Sequence, residues 1–308
     1  MSLQALVIGL GQIGMGYDLN EIDQNIITSL ARAFSLHSKF DLIGGIDSDS
    51  HRRNMFEKYF GKSAYFNIDH LLKKYKPDVV AIATPTESHF SIFKELVSQY
   101  TPKVILCEKP LSYDINEAKK MVSIAIEKDI LLFTNYMRRC NPSVIEFKNR
   151  ITKNEFKNPI KGICWYSKGL FHSGSHFLNL FQYWLGDVID FKIINQGRLW
   201  NSTDPEPDIE MVFEMGKILF LSTDTESNPY YSVELMAKNG RMRYEGNLML
   251  LSLASSNEEK EISSDISRPQ WHVVEQIYQC LNGNKSSICT GKEGLSTLDV
   301  LTQIKRQL

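Results

Sequence analysis

The sequence predicts an α/β protein in two parts: an N-terminal doubly wound parallel sheet, then a C-terminal α/β domain whose open sheet is largely antiparallel. Three observations carry this expectation. Apolar runs alternate with helical patterns through the first 137 residues, as successive parallel βα units require. The apolar run Leu3–Ile8 leads directly into Gly9-Leu10-Gly11-Gln12-Ile13-Gly14, a G-x-G-x-x-G turn. Beyond residue 187 the rhythm changes to short strand-like runs broken by Met215-Gly216-Lys217, Lys238-Asn239-Gly240 and Glu245-Gly246-Asn247, the punctuation of antiparallel neighbours.

In the opening turn, glycines allow a tight reversal, bare backbone for a pyrophosphate, and close packing of the next helix on the strand. That helix would turn its first N–H groups toward the phosphates. Residues 17–25 are polar and acidic and read as an insertion, with the helix resuming near residues 29–34. The strand Phe40–Ile46 is closed by Asp47, a carboxylate placed for ribose hydroxyls. The insertion accounts for its lying farther from the glycines than the usual interval of about 20 residues. Helices over 52–59 and 68–75, with a short extended piece at 63–66, lead to a strand over 78–83. Thr84-Pro85-Thr86-Glu87-Ser88-His89 forms the loop at its carboxyl end.

After a helix over 90–98, the strand Val104–Cys107 runs into Glu108-Lys109-Pro110. This puts an ammonium group at the carboxyl end of a strand, where open α/β sheets bind ligands. A helix over 114–128 and a strand over 130–134 complete the alternation, and the domain boundary is drawn at 137/138. The second domain, 138–308, has one helix over 174–185 and strands over 188–196, 209–215, 217–222, 231–237, 241–245 and 249–253. Helices over 271–281 and 294–307 close the chain. Asn201 to Asp208, with two prolines, reads as a loop.

Composition excludes several classes. The 35 basic and 36 acidic residues give a net charge of -1, so no overall field draws the chain to nucleic acid or an anionic membrane. No apolar stretch reaches the length of a membrane span, no signal-like leader precedes the first strand, and a cytoplasmic protein is expected. The five cysteines form no C-x-x-C pair and are read as reduced thiols, mostly in the core.

The glycine turn, Asp47, the loop Thr84 to His89, Cys107-Glu108-Lys109-Pro110, Tyr136 to Pro142, and Gly174-Ser175-His176 before an apolar helix ending Trp184-Leu185-Gly186 occur in one order along the chain. In this it resembles the glucose-fructose oxidoreductase, inositol dehydrogenase and rhizopine-catabolism (Gfo/Idh/MocA) family of nicotinamide-dependent oxidoreductases. The resemblance spans nearly the whole length. It implies a Rossmann domain, a second domain whose open sheet forms a homo-oligomer interface, NAD as cofactor with NADP not excluded, and a sugar, cyclitol or nucleotide-sugar substrate.

It also implies the site. Gly9, Gly11, Gln12, Ile13, Gly14, Asp47, Thr84, Pro85, His89, Glu108 and Lys109 would hold the cofactor. Lys109 would polarise the reacting oxygen, His176 would serve as acid or base with His172 beside it, and Tyr136, Arg139 and Asn179 would join them around the substrate. An imidazole can accept the hydroxyl proton near neutral pH while an ammonium stabilises the alkoxide-like oxygen. The sequence departs from the family pattern twice: His172 stands where an aspartate is usual, and Asn179 replaces a second. No third ligand accompanies the His172-x-x-x-His176 pair, so no metal is expected. Retention of Lys109 and His176 favours an enzyme; loss of the aspartate at 172 favours the alternative, a non-catalytic or regulatory dinucleotide-binding protein.

Overall fold

The computed structural model describes residues 2–223, 230–255 and 258–308. The chain divides into two compact units, Met1–Cys140 with Ser267–Leu295, and Asn141–Ile266 with Ser296–Leu308.

In chain order the first unit contains β1 (Leu3–Ile8), α1 (Leu30–Leu36), β2 (Phe40–Ile46), α2 (Ser50–Phe60), β3 (Ala64–Tyr65), α3 (Ile68–Leu72), β4 (Val79–Ile82), α4 (His89–Gln99), β5 (Val104–Cys107), α5 (Ile115–Glu127) and β6 (Leu131–Thr134). The six strands form one sheet in the order β3-β2-β1-β4-β5-β6, and each pairing is parallel. Every residue of β4 and β5 is buried, which is why these strands read as unbroken apolar runs instead of alternating. The order reverses between β1 and β4, the switch point at which doubly wound sheets bind dinucleotides.

The helix expected directly after the glycine turn is interrupted. Met15 and Gly16 both donate to the Gly11 carbonyl at 2.9 Å, and the chain then leaves the helical path. It returns at α1, where the N–H groups of Leu30 and Ala31 donate to the carbonyls of Ile13 and Gly14 at 2.9 Å. Residues 11–14 thus stand in for the first turn of a helix whose body is α1, with the insertion spliced between. Asp18, buried, holds the splice: its carboxylate accepts the Thr28 N–H at 2.6 Å, the Ser29 N–H at 2.8 Å and the Ser29 hydroxyl at 2.5 Å. Ser29 caps α1 in turn, and Arg32 donates to the carbonyls of Asp18, Glu21 and Asp23.

The second unit contains α6 (Pro142–Thr152), β7 (Ile160–Tyr166), α7 (Ser175–Leu185), β8 (Val188–Trp200), β9 (Asp204–Phe213), β10 (Gly216–Ser222), β11 (Ser232–Ala237), β12 (Gly240–Glu245), β13 (Leu248–Leu253) and β14 (Glu259–Ile262). These eight strands form a sheet in the order β14-β13-β12-β11-β7-β10-β9-β8. It is antiparallel throughout except for β7 beside β10. One face packs under Phe147 of α6 and Phe177, Phe181 and Trp184 of α7. Alternation along β7 sends Cys164 and Tyr166 into that core and leaves Ile163 and Trp165 exposed on the other face, beside Met236 of β11.

Several features differ from the sequence reading. The helix α6 and the strands β7 and β14 were not expected. Residues 204–208, read as loop, belong to β9. A strand can hold Pro205 and Pro207 there because β10 pairs with β9 only from Ile209 onward, so on that side no ladder bond is lost. The Pro207 carbonyl accepts the Tyr166 hydroxyl at 2.8 Å.

A further difference is the division at 137/138, with all later residues assigned to the second domain. The helix α8 (Pro269–Leu281) lies in the first unit, where Val273, Val274 and Ile277 join Ala33, Phe34 and Phe40 in one core. The last helix, α9 (Gly291–Gln307), contributes to the first unit up to Leu295 and to the second from Ser296. An amphipathic pattern reports that a face is buried, not which core receives it.

Replacing Asp18 with Ala should strand two backbone donors and a hydroxyl, and cost on the order of 3 kcal/mol. Urea denaturation of the variant against the parent measures this.

Candidate functional site

Candidate residues occur in both units, and each group is built within its own. In the first, four loops follow β2, β1, β4 and β5, side by side in the sheet at their carboxyl ends. The glycine turn follows β1. Gly9 has φ +93°, and a Cβ there would lie 2.6 Å from the Ala83 carbonyl carbon and 2.7 Å from the Thr84 nitrogen. A Cβ on Gly14 would strike the Gly9 carbonyl oxygen. At Gly11 the situation is opposite: its Cβ would meet nothing closer than Arg52 Nη1 at 3.9 Å. The outer two glycines are required by packing and the middle one leaves open space beside backbone, a cradle that fits a dinucleotide pyrophosphate. Gln12 is exposed, while Ile13 packs against the first core.

Asp47 follows β2 and is tied to the same turn. Its Oδ2 accepts the Leu10 N–H at 2.8 Å and lies 3.6 Å from Arg52 Nη1; its Oδ1 accepts the Asp49 N–H at 2.8 Å. The Arg53 guanidinium donates to the carbonyls of Asp47 and Ser48, so Arg52 is the cation at the carboxylate itself.

Thr84 and Pro85 follow β4, and His89 joins this loop to the next. Its buried ring sets Nδ1 3.0 Å from the Pro110 carbonyl and Nε2 2.9 Å from the Thr84 carbonyl. Burial holds its pKa below the ordinary histidine value, against the pull of these carbonyls.

The tripeptide Glu108-Lys109-Pro110 follows β5. Its backbone is fastened by the Glu108 N–H donating to the Ile82 carbonyl at 2.9 Å, and the Lys109–Pro110 bond is cis. The Glu108 carboxyl accepts from Asn135 Nδ2 at 2.5 Å, and Asn135 Nδ2 donates also to Gln270 Oε1 at 3.0 Å. The Lys109 N–H lies 3.4 Å from the other Glu108 oxygen. Burial pushes the Glu108 carboxyl up to about 7, opposed by the Asn135 hydrogen bond and the Lys109 charge. Tyr136 is buried beyond β6. Arg139 is buried too, its guanidinium donating to Glu293 at 2.7 Å and to the Ser287 carbonyl at 3.1 Å, a bracing arrangement within the first unit.

In the second unit a wide π-type turn, Gly169–Gly174, precedes α7. Its backbone is received by carboxylates of β9. Asp204 accepts the N–H groups of Phe171 at 2.9 Å and His172 at 2.8 Å, and Glu206 accepts that of Gly169 at 2.9 Å. Glu206 is buried and paired with Arg198 at 2.7 Å. The His172 side chain is exposed, its ring 4.9 Å from that of Trp200 at 30°. His176, in the first turn of the helix, is half-buried. Asn179 is wholly buried and donates to Thr297 Oγ1 at 2.9 Å. Phe177, Leu180, Phe181, Trp184 and Leu185 form the buried side of α7.

Asn135, Gln270, Asp204 and Glu206 were not singled out from the sequence. Asn135 follows a strand, a usable signal. Gln270 lies 135 residues from its partner Asn135, and only folding reveals the pair. Among the described residues no group of three or more His, Cys, Asp or Glu is disposed to hold a metal, and no helix is long and apolar enough to cross a membrane.

The strand order, the glycine cradle and the carboxylate closing β2 define a doubly wound dinucleotide-binding unit. Residues 3–136 match the Gfo/Idh/MocA oxidoreductase family, NAD-binding Rossmann fold. The chain is 24% identical over 155 residues to myo-inositol 2-dehydrogenase of Thermotoga maritima, covering 50% of this chain and 42% of that one. To UDP-N-acetylglucosamine 3-dehydrogenase of Acidithiobacillus ferrooxidans it is 28% identical over 103 residues, 33% of this chain and 32% of that one. These alignments span less than half the length of the curated relatives. A crystal structure of the latter enzyme superposes with TM-score 0.80 at 16% identity, over 99% of this chain and 97% of that one, and shares the fold.

The raised pKa of Glu108 carries a stability consequence. A carboxyl whose folded pKa exceeds its unfolded value favours the folded state below about 4.5, and that contribution is lost as pH rises through about 7. Glu108→Gln, which cannot ionise, should therefore be more stable than the parent at pH 8, by up to roughly 3 kcal/mol, with little gain at pH 4. Thermal unfolding of both proteins across this range measures it.

Proposed function

We propose that the protein is an NAD-dependent dehydrogenase or reductase acting on a carbinol or carbonyl carbon of a sugar, cyclitol or nucleotide sugar. The observation that carries this reading is Lys109 at the carboxyl end of β5, one strand beyond the switch point in a unit of the NAD-binding family. The names of the two relatives supply the substrate classes.

When bound, NAD supplies a hydride acceptor. The chain's own residues do the rest. The Lys109 ammonium stabilises negative charge on the reacting oxygen, and the His176 imidazole takes the hydroxyl proton in oxidation and returns it in reduction. His172 brings a second imidazole where a carboxylate is usual in the family, with its ring against Trp200. Asp204 is a positioning residue for both histidines, because it fixes the turn from which α7 starts. Tyr136, Arg139 and Asn179 are the remaining residues proposed around the substrate. We further propose that two copies associate through the outward face of the eight-stranded sheet, where Ile163, Trp165 and Met236 present apolar surface.

Screening NAD reduction against cyclitols, sugars and nucleotide sugars tests the activity; a dinucleotide-binding protein without catalysis would bind NAD and turn over none of them. On the substrate so found, Lys109→Met should lower kcat at least 1000-fold while leaving the NAD dissociation constant within about threefold, a loss of transition-state stabilisation of some 4 kcal/mol. Near-normal turnover in that variant removes Lys109 from the mechanism.

Asp47 sets a second expectation. Its carboxylate repels the extra phosphate of NADP, so NAD should bind at least tenfold more tightly. Calorimetric titration of both nucleotides decides, and tighter NADP binding would assign the dominant role to Arg52.

A further inference from the structure

The carboxyl of Glu108 occupies an unusual position between two opposing influences. It is half-buried at the end of a fully buried strand, and its desolvation favours the neutral acid. It also accepts hydrogen bonds suited to the carboxylate, from Asn135 Nδ2 and the Lys109 N–H. Both acceptors of the Asn135 amide, Glu108 and Gln270, take from Nδ2, and its buried Oδ1 meets no donor among the described residues. The charged group acting on Glu108 is Lys109, on its own loop. The Cys107 thiol on the same strand is kept protonated by burial, and the residues packed from β6 and α8, Asn135 and Gln270, are neutral. His89 binds the same loop at Pro110, and burial favours its neutral form.

The sheet order sets which half of a dinucleotide lies near this carboxyl. Asp47 closes β2 on one side of the glycine turn, and Glu108 follows β5 on the other. With the adenosine ribose at Asp47 and the pyrophosphate at Gly11, the nicotinamide half extends across the switch point toward β4 and β5. Oxidised nicotinamide carries a positive charge that the reduced ring lacks, and a partly desolvated carboxylate nearby responds to that difference.

We infer that Glu108 senses the redox state of the bound nucleotide: as the carboxylate it strengthens binding of NAD⁺ relative to NADH, and as the neutral acid it withdraws that preference. This rests on the cofactor assignment above and adds to it a charge discrimination that no substrate is needed to observe. By linkage, NAD⁺ binding must draw a proton off Glu108 to the same degree.

The test is the dissociation constants of NAD⁺ and NADH for the full chain from pH 5.5 to 8.5, by calorimetry. The ratio Kd(NADH)/Kd(NAD⁺) should rise roughly tenfold across this range, equivalent to one unit of pKa displacement in Glu108. In Glu108→Gln the ratio should not vary with pH, whatever the absolute affinities of the two nucleotides. Asn135→Ala, which removes a hydrogen bond that favours the carboxylate, should move the rise to higher pH and serves also if Glu108→Gln fails to fold. A flat ratio in the parent, or a rise that survives in Glu108→Gln or stays in place in Asn135→Ala, overturns the inference and leaves the cofactor assignment intact. Failure of both nucleotides to bind overturns the assignment and the inference together.

Discussion

The carboxyl edge of the parallel sheet depends on one steric constraint: there is no room for side-chain volume where β1 turns beside β4. A Cβ on Gly9 would press into the Ala83–Thr84 backbone, and one on Gly14 into the Gly9 carbonyl. This close approach brings the loops after β1 and β4 together. From it follows the order in which Asp47, the glycine cradle, Thr84 and Glu108-Lys109 are arrayed along the sheet. Gly11 belongs to the same turn but answers to the ligand instead of the protein, since its missing side chain opens space.

Carboxylates holding loop backbone are the second recurring device. Asp18 receives Thr28 and Ser29, Asp47 receives Leu10 and Asp49, Asp204 receives Phe171 and His172, and Glu206 receives Gly169. Each charge is compensated by N–H groups that would otherwise lack partners, which is how a partly desolvated carboxylate remains favourable. Asp18 allows an insertion to interrupt a helix without disturbing its hydrogen-bonding path. Asp204 and Glu206 hold the turn before α7, and so fix where His172 stands in that turn and where the helix bearing His176 begins. Glu108 is the exception: its burial outweighs its hydrogen bonds, and its charge is therefore free to vary near neutral pH.

Much of the first unit was legible because buried parallel strands write themselves as apolar runs and their carboxyl ends as glycine, aspartate or lysine. Val104–Cys107 was recovered residue for residue, and Asp47 was found despite the insertion. In the second unit, β7 went unrecognised: its outward face carries Ile163 and Trp165, which blurs the period-two alternation. The two prolines of β9 imitated a loop, because a residue-level rule cannot know that the neighbouring strand stops short of them.

Local chemistry along the chain determined the fold class, the cofactor turn and the identities of Lys109, His172 and His176 as candidates, since glycine spacing, strand periodicity and side-chain type act over a few residues. Only tertiary structure decided that α8 serves the first core, that Asn179 and Arg139 are buried on Thr297 and Glu293, and that Asn135 and Gln270 surround Glu108. These depend on desolvation and on partners more than a hundred residues apart, and neither quantity is written in any local stretch of sequence.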